Sequence, residues 1–200
     1  MTFFRAVSFT EPALTVTGER VTLRVPQVSD YEEWAALRDA SRGFLVPWEP
    51  TWPADDLTRP SFRRRLKRYA EDQRNDLAYP YFIFRNEDQK LVGGLTITNV
   101  RRGVAQAGSL GYWMGAAYAR QGYMTAAVGG LVPFAFGTLK LHRLEAACIP
   151  ENAASVRLLE KTGFVREGYA REYLCINGMW QDHLLYAQVR RPEDRALLRF

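Results

Sequence analysis

The sequence predicts a mixed α+β fold. Three observations carry that prediction: short runs of alternating apolar residues, stretches of helical period between them, and their order along the chain, β-α-α-β-β-β-α-β-α-β-β. The chain has 200 residues, of which 47% are hydrophobic. That supplies one core without the length to demand two, so residues 1–200 read as a single domain.

Residues 20–25 alternate polar and apolar side chains and read as the first strand. Ser29 or Asp30 can cap a helix running to about Arg42, with Glu32 and Glu33 favourably placed in its first turn and Trp34 and Leu37 buried. Residues 44–60 hold Pro47-Trp48-Glu49-Pro50 and Trp52-Pro53 and read as a loop of the kind that lines clefts. Residues 61–73 form a basic helix with Phe62, Leu66 and Tyr69 on one face and Arg63, Arg64, Arg65, Lys67 and Arg68 on the rest. Strands follow at 79–85, 91–100 (where Gly93-Gly94 suggests a bulge) and 109–115. A helix opens at Arg120-Gln121-Gly122 and runs to about Gly137, with Pro133 expected to kink or shorten it. Residues 143–149 are a strand, 152–162 a helix ended by Gly163, and 164–169 and 180–189 a final antiparallel pair.

Composition narrows the function. A net charge of +5 suits a polyanionic partner (nucleic acid, an anionic membrane or a phosphate-rich cofactor) without choosing among them. Cys148, Cys175, His142 and His183 lack the paired spacing of a zinc site, so no metal is expected, and both cysteines read as buried free thiols. The first residues show no signal-peptide pattern and no apolar run is long enough to span a bilayer. The expectation is a soluble, cytoplasmic protein with no membrane partner, either a monomer or a homodimer.

Two segments bear chemistry. Tyr112-Trp113-Met114 closes a strand, and Arg120, Gln121, Gly122, Tyr123, Met124 and Thr125 open a helix whose first N–H groups and positive dipole end, with Gly122 admitting close approach, suit a pyrophosphate. By itself this is also the pattern of a plain tight turn. In the second, Asn152 is an N-cap and Ser155 lies three residues on in the first turn.

The order Asn152-x-x-Ser155, then Leu159-Glu160-Lys161-x-Gly163-Phe164, resembles the helix after the fifth strand of the GNAT superfamily of N-acetyltransferases. The closing run from Glu167 to Tyr173, then Asn177-Gly178-x-Trp180-x-Asp182-His183, resembles the RimJ/RimL group of bacterial ribosomal-protein acetyltransferases, and Trp48-Glu49-Pro50 points to the RimJ side. The similarity covers about residues 20–189, leaving 1–18 as an N-terminal extension and 191–200 as a C-terminal tail.

The resemblance implies a mixed, mostly antiparallel sheet of about seven strands with flanking helices and a V-shaped split between the fourth and fifth strands. It implies acetyl-CoA as cosubstrate. Tyr112, Trp113 and Met114 would offer backbone groups to the pantetheine arm, one amide acting as an oxyanion hole. Residues 120–125 would hold the pyrophosphate, Asn152 would bond the pantetheine, and Ser155 would protonate the departing thiolate. The phosphate motif departs from the usual Gln/Arg-x-x-Gly-x-Gly/Ala pattern, with Ala119 in its first place and Met124 in its sixth. Leu174 stands where RimL-type enzymes are thought to place a glutamate base; Glu172, two residues away, keeps the same face if the strand alternates.

Little base is needed for one class of acceptor. An α-amine with a pKa near 8 is roughly one-tenth neutral at pH 7, against about 0.04% for a lysine amine. Glu49 and Glu172 are candidate bases acting through water, and Tyr173 is a spare acid; each equally suits a surface or packing role, and His183 reads as structural. The implied activity is transfer of acetyl to the α-amine of a protein N-terminus, an alanine or serine of a ribosomal protein, with ribosome association as a further partner. The alternatives are a small-molecule amine acceptor (antibiotic, polyamine or amino acid) and a CoA-binding protein without catalysis. The 61–73 arginines read as a solvated face, with RNA contact a minor reading.

Overall fold

The structure, a computed structural model, describes residues 15–190. The tail at 191–200 and most of the N-terminal extension lie outside that range. Eight strands form a single sheet: β1 (Val16–Thr17), β2 (Val21–Arg24), β3 (Tyr79–Arg85), β4 (Leu91–Arg101), β5 (Ala107–Met114), β6 (Arg143–Cys148), β7 (Val165–Ile176) and β8 (Met179–Val189), in the order β1-β2-β3-β4-β5-β6-β8-β7. The added strand is β1, drawn from the stretch read as an N-terminal extension and paired to β2 through Val16↔Leu23 and Thr17↔Thr22.

Two helical layers cover the sheet. On one face, α1 (Tyr31–Ala40) and α3 (Arg59–Arg74) bury Trp34 and Phe62 against Phe82, Phe84 and Leu91, with Trp113 packed alongside. On the other, α4 (Tyr123–Gly137) and α5 (Ala153–Lys161) bury Ala127, Val128, Leu131 and Leu159 against Val21, Ile83, Leu95, Ile97, Leu144 and Tyr186. The alternation that made β3 and β4 legible is this division of side chains between the two layers.

Several boundaries differ from expectation. The 44–60 loop contains the last part of a short helix, α2 (Arg42–Leu45), and a 3-10 turn over Val46–Trp48. Helix α3 starts earlier than predicted, capped by Thr58 with proline in its first turn. The bulge lies at Val92, beside Gly93-Gly94, where the β3–β4 register jumps from Ile83↔Gly93 to Phe84↔Leu91. Helix α4 continues through Pro133 to Gly137; Pro133 is exposed, so water can satisfy the carbonyl that loses its donor. Helix α5 ends in a Schellman motif, with Phe164 N–H donating to Leu159 O (2.9 Å) and Gly163 N–H to Glu160 O (3.2 Å).

The expected split is present. Strands β5 and β6 run parallel but share only the pairs Ala107↔Arg143, Gly108↔Leu144 and Ser109↔Glu145. Beyond them β5 continues to Met114 paired only with β4, and β6 continues to Cys148 paired only with β8. The sheet therefore opens toward the C-terminal ends of both strands.

Candidate active site

One hydrogen bond fixes which backbone groups face the split. Gly115 N–H donates to Val92 O at 2.9 Å, and antiparallel alternation from there gives Trp113 and Gly111 bonded positions against Gly94 and Thr96. Tyr112 and Met114 consequently turn their N–H and C=O groups away from β4, into the split. The backbone of Trp113 does not join them. Its side chain lies on the α1/α3 layer, so close to β4 that a Cβ on Gly94 would sit 2.5 Å from its Nε1.

Beside the split, Gly122 is the N-cap of α4 with φ +86, a conformation that glycine reaches without a Cβ penalty. No side chain caps this helix, so the first-turn N–H groups at Tyr123, Met124 and Thr125 keep their donors. Arg120 precedes it at φ +60 and is exposed. Gln121 folds its amide back onto Ala117 O at 2.8 Å. Met124 packs against the core, which accounts for a large residue at a place that usually holds a small one.

Across the split, Asn152 Oδ1 accepts from Ser155 N–H at 3.1 Å, capping α5. The cap uses the amide's oxygen and leaves its NH2 as the donor for a ligand. Burial pushes the Tyr112 phenol well above its ordinary range, and the Ser155 side chain beside it pulls the other way. A phenol shifted in this direction keeps its proton at neutral pH. This juxtaposition of a β5 hydroxyl and an α5 hydroxyl carries no signal in the sequence, where only the Tyr112 backbone has a role. Cys148 ends β6 on the same layer, its thiol raised to about 11 by burial and then by the charge of Glu160. Cys175, expected to be buried, is exposed. Alkylation at pH 8 is therefore expected to modify Cys175 quickly and Cys148 only on unfolding; two equally fast thiols would contradict this placement.

The opposite layer holds the remaining candidates. Glu49 is fully engaged: Arg38 Nη1 and Nη2 donate to its Oε1 and Oε2 at 2.8 and 2.7 Å, and Trp52 Nε1 donates to Oε2 at 2.7 Å. Arg38, 6% exposed, lies over the rings of Trp52 (4.2 Å) and Trp113 (5.0 Å). The backbone carbonyl of Glu49 also accepts from Asn177 N–H at 2.9 Å, tying this loop to the β7–β8 turn. With both oxygens committed, this carboxylate holds the loop in place.

Glu172 does not follow the alternation assumed for it. Between Ala170↔His183 and Leu174↔Gln181 strand β7 carries two extra residues, and Glu172 sits in that bulge at φ +46, exposed, its N–H donating to Asp182 Oδ1 at 2.8 Å. Tyr169 donates to the other oxygen of Asp182. Tyr173 is half exposed and sets its ring edge-on to His183 at 5.7 Å. His183 is 3% exposed, with Nδ1 2.9 Å from Gln181 O.

Residues 20–165 match the acetyltransferase (GNAT) domain family. The chain belongs to the GNAT acetyltransferase family. It is 37% identical to the probable N-acetyltransferase YjcK of Bacillus subtilis over 88% of this chain and 97% of that protein. It is 32% identical to the [ribosomal protein uS5]-alanine N-acetyltransferase of Escherichia coli over 88% of this chain and 91% of that one. Among solved structures, Mycobacterium smegmatis RimJ in complex with CoA-disulfide superposes with a TM-score of 0.85 at 31% identity, covering 94% of this chain and 90% of that one. The GNAT split, the uncapped α4 and the Asn152 amide suit an acyl-CoA: a strand-like arm can bond the Tyr112 and Met114 backbone while its pyrophosphate meets the helix N-terminus.

No group of three or more histidine, cysteine, aspartate or glutamate side chains that could hold a metal occurs among the described residues, and none of their helices is long and apolar enough to cross a membrane. The basic face of α3 is partly neutralised within the chain: Arg59 pairs with Glu32, Arg64 with Asp55 (2.5 Å), Arg65 with Asp56 (2.6 Å) and Lys67 with Glu71 (3.9 Å). These pairs reduce the positive charge that this face presents.

Proposed function

We propose that this GNAT enzyme acetylates the α-amino group of a protein N-terminus, an alanine or serine of a ribosomal protein, by direct transfer from acetyl-CoA within a ternary complex. The observation that supports this acceptor best is the similarity to the uS5-alanine acetyltransferase over 88% of this chain and 91% of that one. Geometry supports the division of labour. The α4/α5 layer presents the cosubstrate-binding groups, and the α1/α3 layer leaves the other side of the split to the acceptor, bordered by Trp52, Trp113 and the β7–β8 hairpin.

In this reading the Met114 or Tyr112 amide donates to the thioester oxygen as it gains charge. The Asn152 NH2 holds the pantetheine in register. Ser155, backed by the Tyr112 hydroxyl, gives its proton to the sulfur as the C–S bond breaks, Tyr112 replaces it, and the proton released by the amine returns through water to Tyr112. The α-amine loses its own proton to water, which the neutral fraction calculated above makes sufficient without a committed carboxylate.

The test is release of CoA thiol from acetyl-CoA with peptides beginning Ala or Ser, compared with an N-terminally blocked peptide, a polyamine and an aminoglycoside. Turnover is expected with the free α-amine peptides alone. Turnover confined to the small amines transfers the activity to that class, and tight acetyl-CoA binding without any turnover refutes the enzymatic reading.

A further inference from the structure

Three arginines surround the loop leading into α4, and they differ in how their charge is met. Arg85 is neutralised by Asp88, through Nε–Oδ1 at 2.9 Å and Nη2–Oδ2 at 2.6 Å. Arg120 belongs to the loop itself. Arg20 arrives from the sheet, just before β2, and reaches a residue 101 positions away: its Nη1 donates to the carbonyl of Gln121 at 2.8 Å. Its guanidinium lies over the ring of Tyr123, 4.7 Å from the centroid. A Cβ on Gly122 would come within 2.9 Å of the same Nη1. Neither Arg20 nor Arg120 has a carboxylate partner among the described residues.

This arrangement runs against the chain's own electrostatics. A helix N-terminus carries about half a positive charge and favours anions. Here it has no side-chain cap, and the Arg20 guanidinium, without a carboxylate among the described residues, is brought to the loop that already holds Arg120. The Arg20 guanidinium lies over an aromatic ring and spends one of its five N–H donors on the loop carbonyl. Local rules broken together at one place mark a functional site. Ala119, at the start of the loop, contributes no side-chain donor, so a guanidinium from another element supplies the charge there.

We infer that Arg20 is a binding residue for the pyrophosphate of acetyl-CoA, contributed by the sheet to a loop in which it has no place in sequence. The inference rests on the acetyl-CoA reading above. It goes beyond that reading in naming a residue outside the phosphate motif, and in giving Gly122 a second reason to be glycine: a side chain there would displace the guanidinium.

The test is titration calorimetry of the full chain with three ligands, acetyl-CoA, its 3′-dephospho analogue and acetyl-pantetheine. The variants are Arg20→Gln, which keeps a donor for Gln121 O, and Arg20→Lys, which keeps the charge. Arg20→Gln is expected to weaken acetyl-CoA and the dephospho analogue alike, by about tenfold at low salt, and to flatten the dependence of Kd on salt. Arg20→Lys should recover most of the affinity, and acetyl-pantetheine should bind every form equally. Binding of acetyl-CoA by Arg20→Gln within about twofold of wild type overturns the inference. So does a loss confined to the 3′-phosphorylated ligand, which moves the contact away from the pyrophosphate, or an equal loss for acetyl-pantetheine, which makes Arg20 a prop for the loop. Wild-type protein that binds none of the three refutes the acetyl-CoA reading itself and this inference with it. Thermal melting of both variants checks that the fold is intact.

Discussion

Arg38→Met is expected to cost about 3–5 kcal/mol of unfolding free energy, a large share of a typical domain's total. The substitution removes both donors to the Glu49 carboxylate, leaving it only the Trp52 indole, and it takes a cation from between two tryptophan faces. Asp56, 8% exposed and 4.0 Å from the same guanidinium, is left with Arg65 alone. The melting temperature should fall by roughly 10 °C, read by circular dichroism. Arg38→Lys should recover little, because a point charge on a flexible stem cannot reproduce the two-pronged contact or the stacking. Replacing both partners, as Arg38→Met with Glu49→Leu, should restore part of the loss by leaving no carboxylate stranded. A loss below about 1 kcal/mol for Arg38→Met, the size expected of an exposed pair, would show that the cluster is not the clamp described.

Ser155→Ala is expected to lower kcat by about a hundredfold, the lower end of what a positioned acid contributes, with acetyl-CoA affinity unchanged within about twofold. The backbone N–H of residue 155 still receives the Asn152 cap, so α5 should keep its structure and the loss can be assigned to the hydroxyl. Tyr112→Phe should give a similar drop. The double variant should lose little more, because the two hydroxyls act as one relay and their effects cannot add. Full kcat in Ser155→Ala would remove the relay, whereas equal and additive losses would make them two independent contacts. Melting curves on each variant separate these outcomes from damage to the buried tyrosine site.

Much of this architecture was written locally and was therefore readable. Strands β3 to β6 bury residues on both layers or on alternate faces, so their period shows, and Asn152 and Gly163 mark the ends of α5 by cap chemistry alone. Strand β7 was read too short because it is an edge strand whose residues before Ile176 are mostly exposed. With Arg166, Glu167, Arg171 and Glu172 in it and a bulge at its centre, no buried face imposes a period. The Asn177-Gly178 turn between β7 and β8, with φ values of +47 and +80, was the available signal for a long hairpin.

The site was less legible than the fold for a different reason. Its defining contacts join residues whose separation has no period: Arg38 to Glu49, Tyr112 to Ser155, Arg20 to Gln121. Sequence could place Glu49 between prolines and tryptophans and so among the candidate bases. It could not show that both carboxylate oxygens are taken by a guanidinium from α1. Likewise Glu172 was assigned a face by counting along a strand, and the count fails where the strand bulges.

Mechanically, the short β5–β6 junction makes the sheet two plates joined along a seam of three residue pairs. The force that sets the angle between the plates passes through few hydrogen bonds at the seam and largely through the oily layer beneath it, where α4 rests on both plates and α5 joins it from the β6–β7 side. Residues such as Leu131 and Leu159, both wholly buried and far in sequence from Tyr112, thus act as the shim that sets the mouth's width. Drift in that layer between relatives would retune which acyl chain the mouth admits while every residue lining it stays the same.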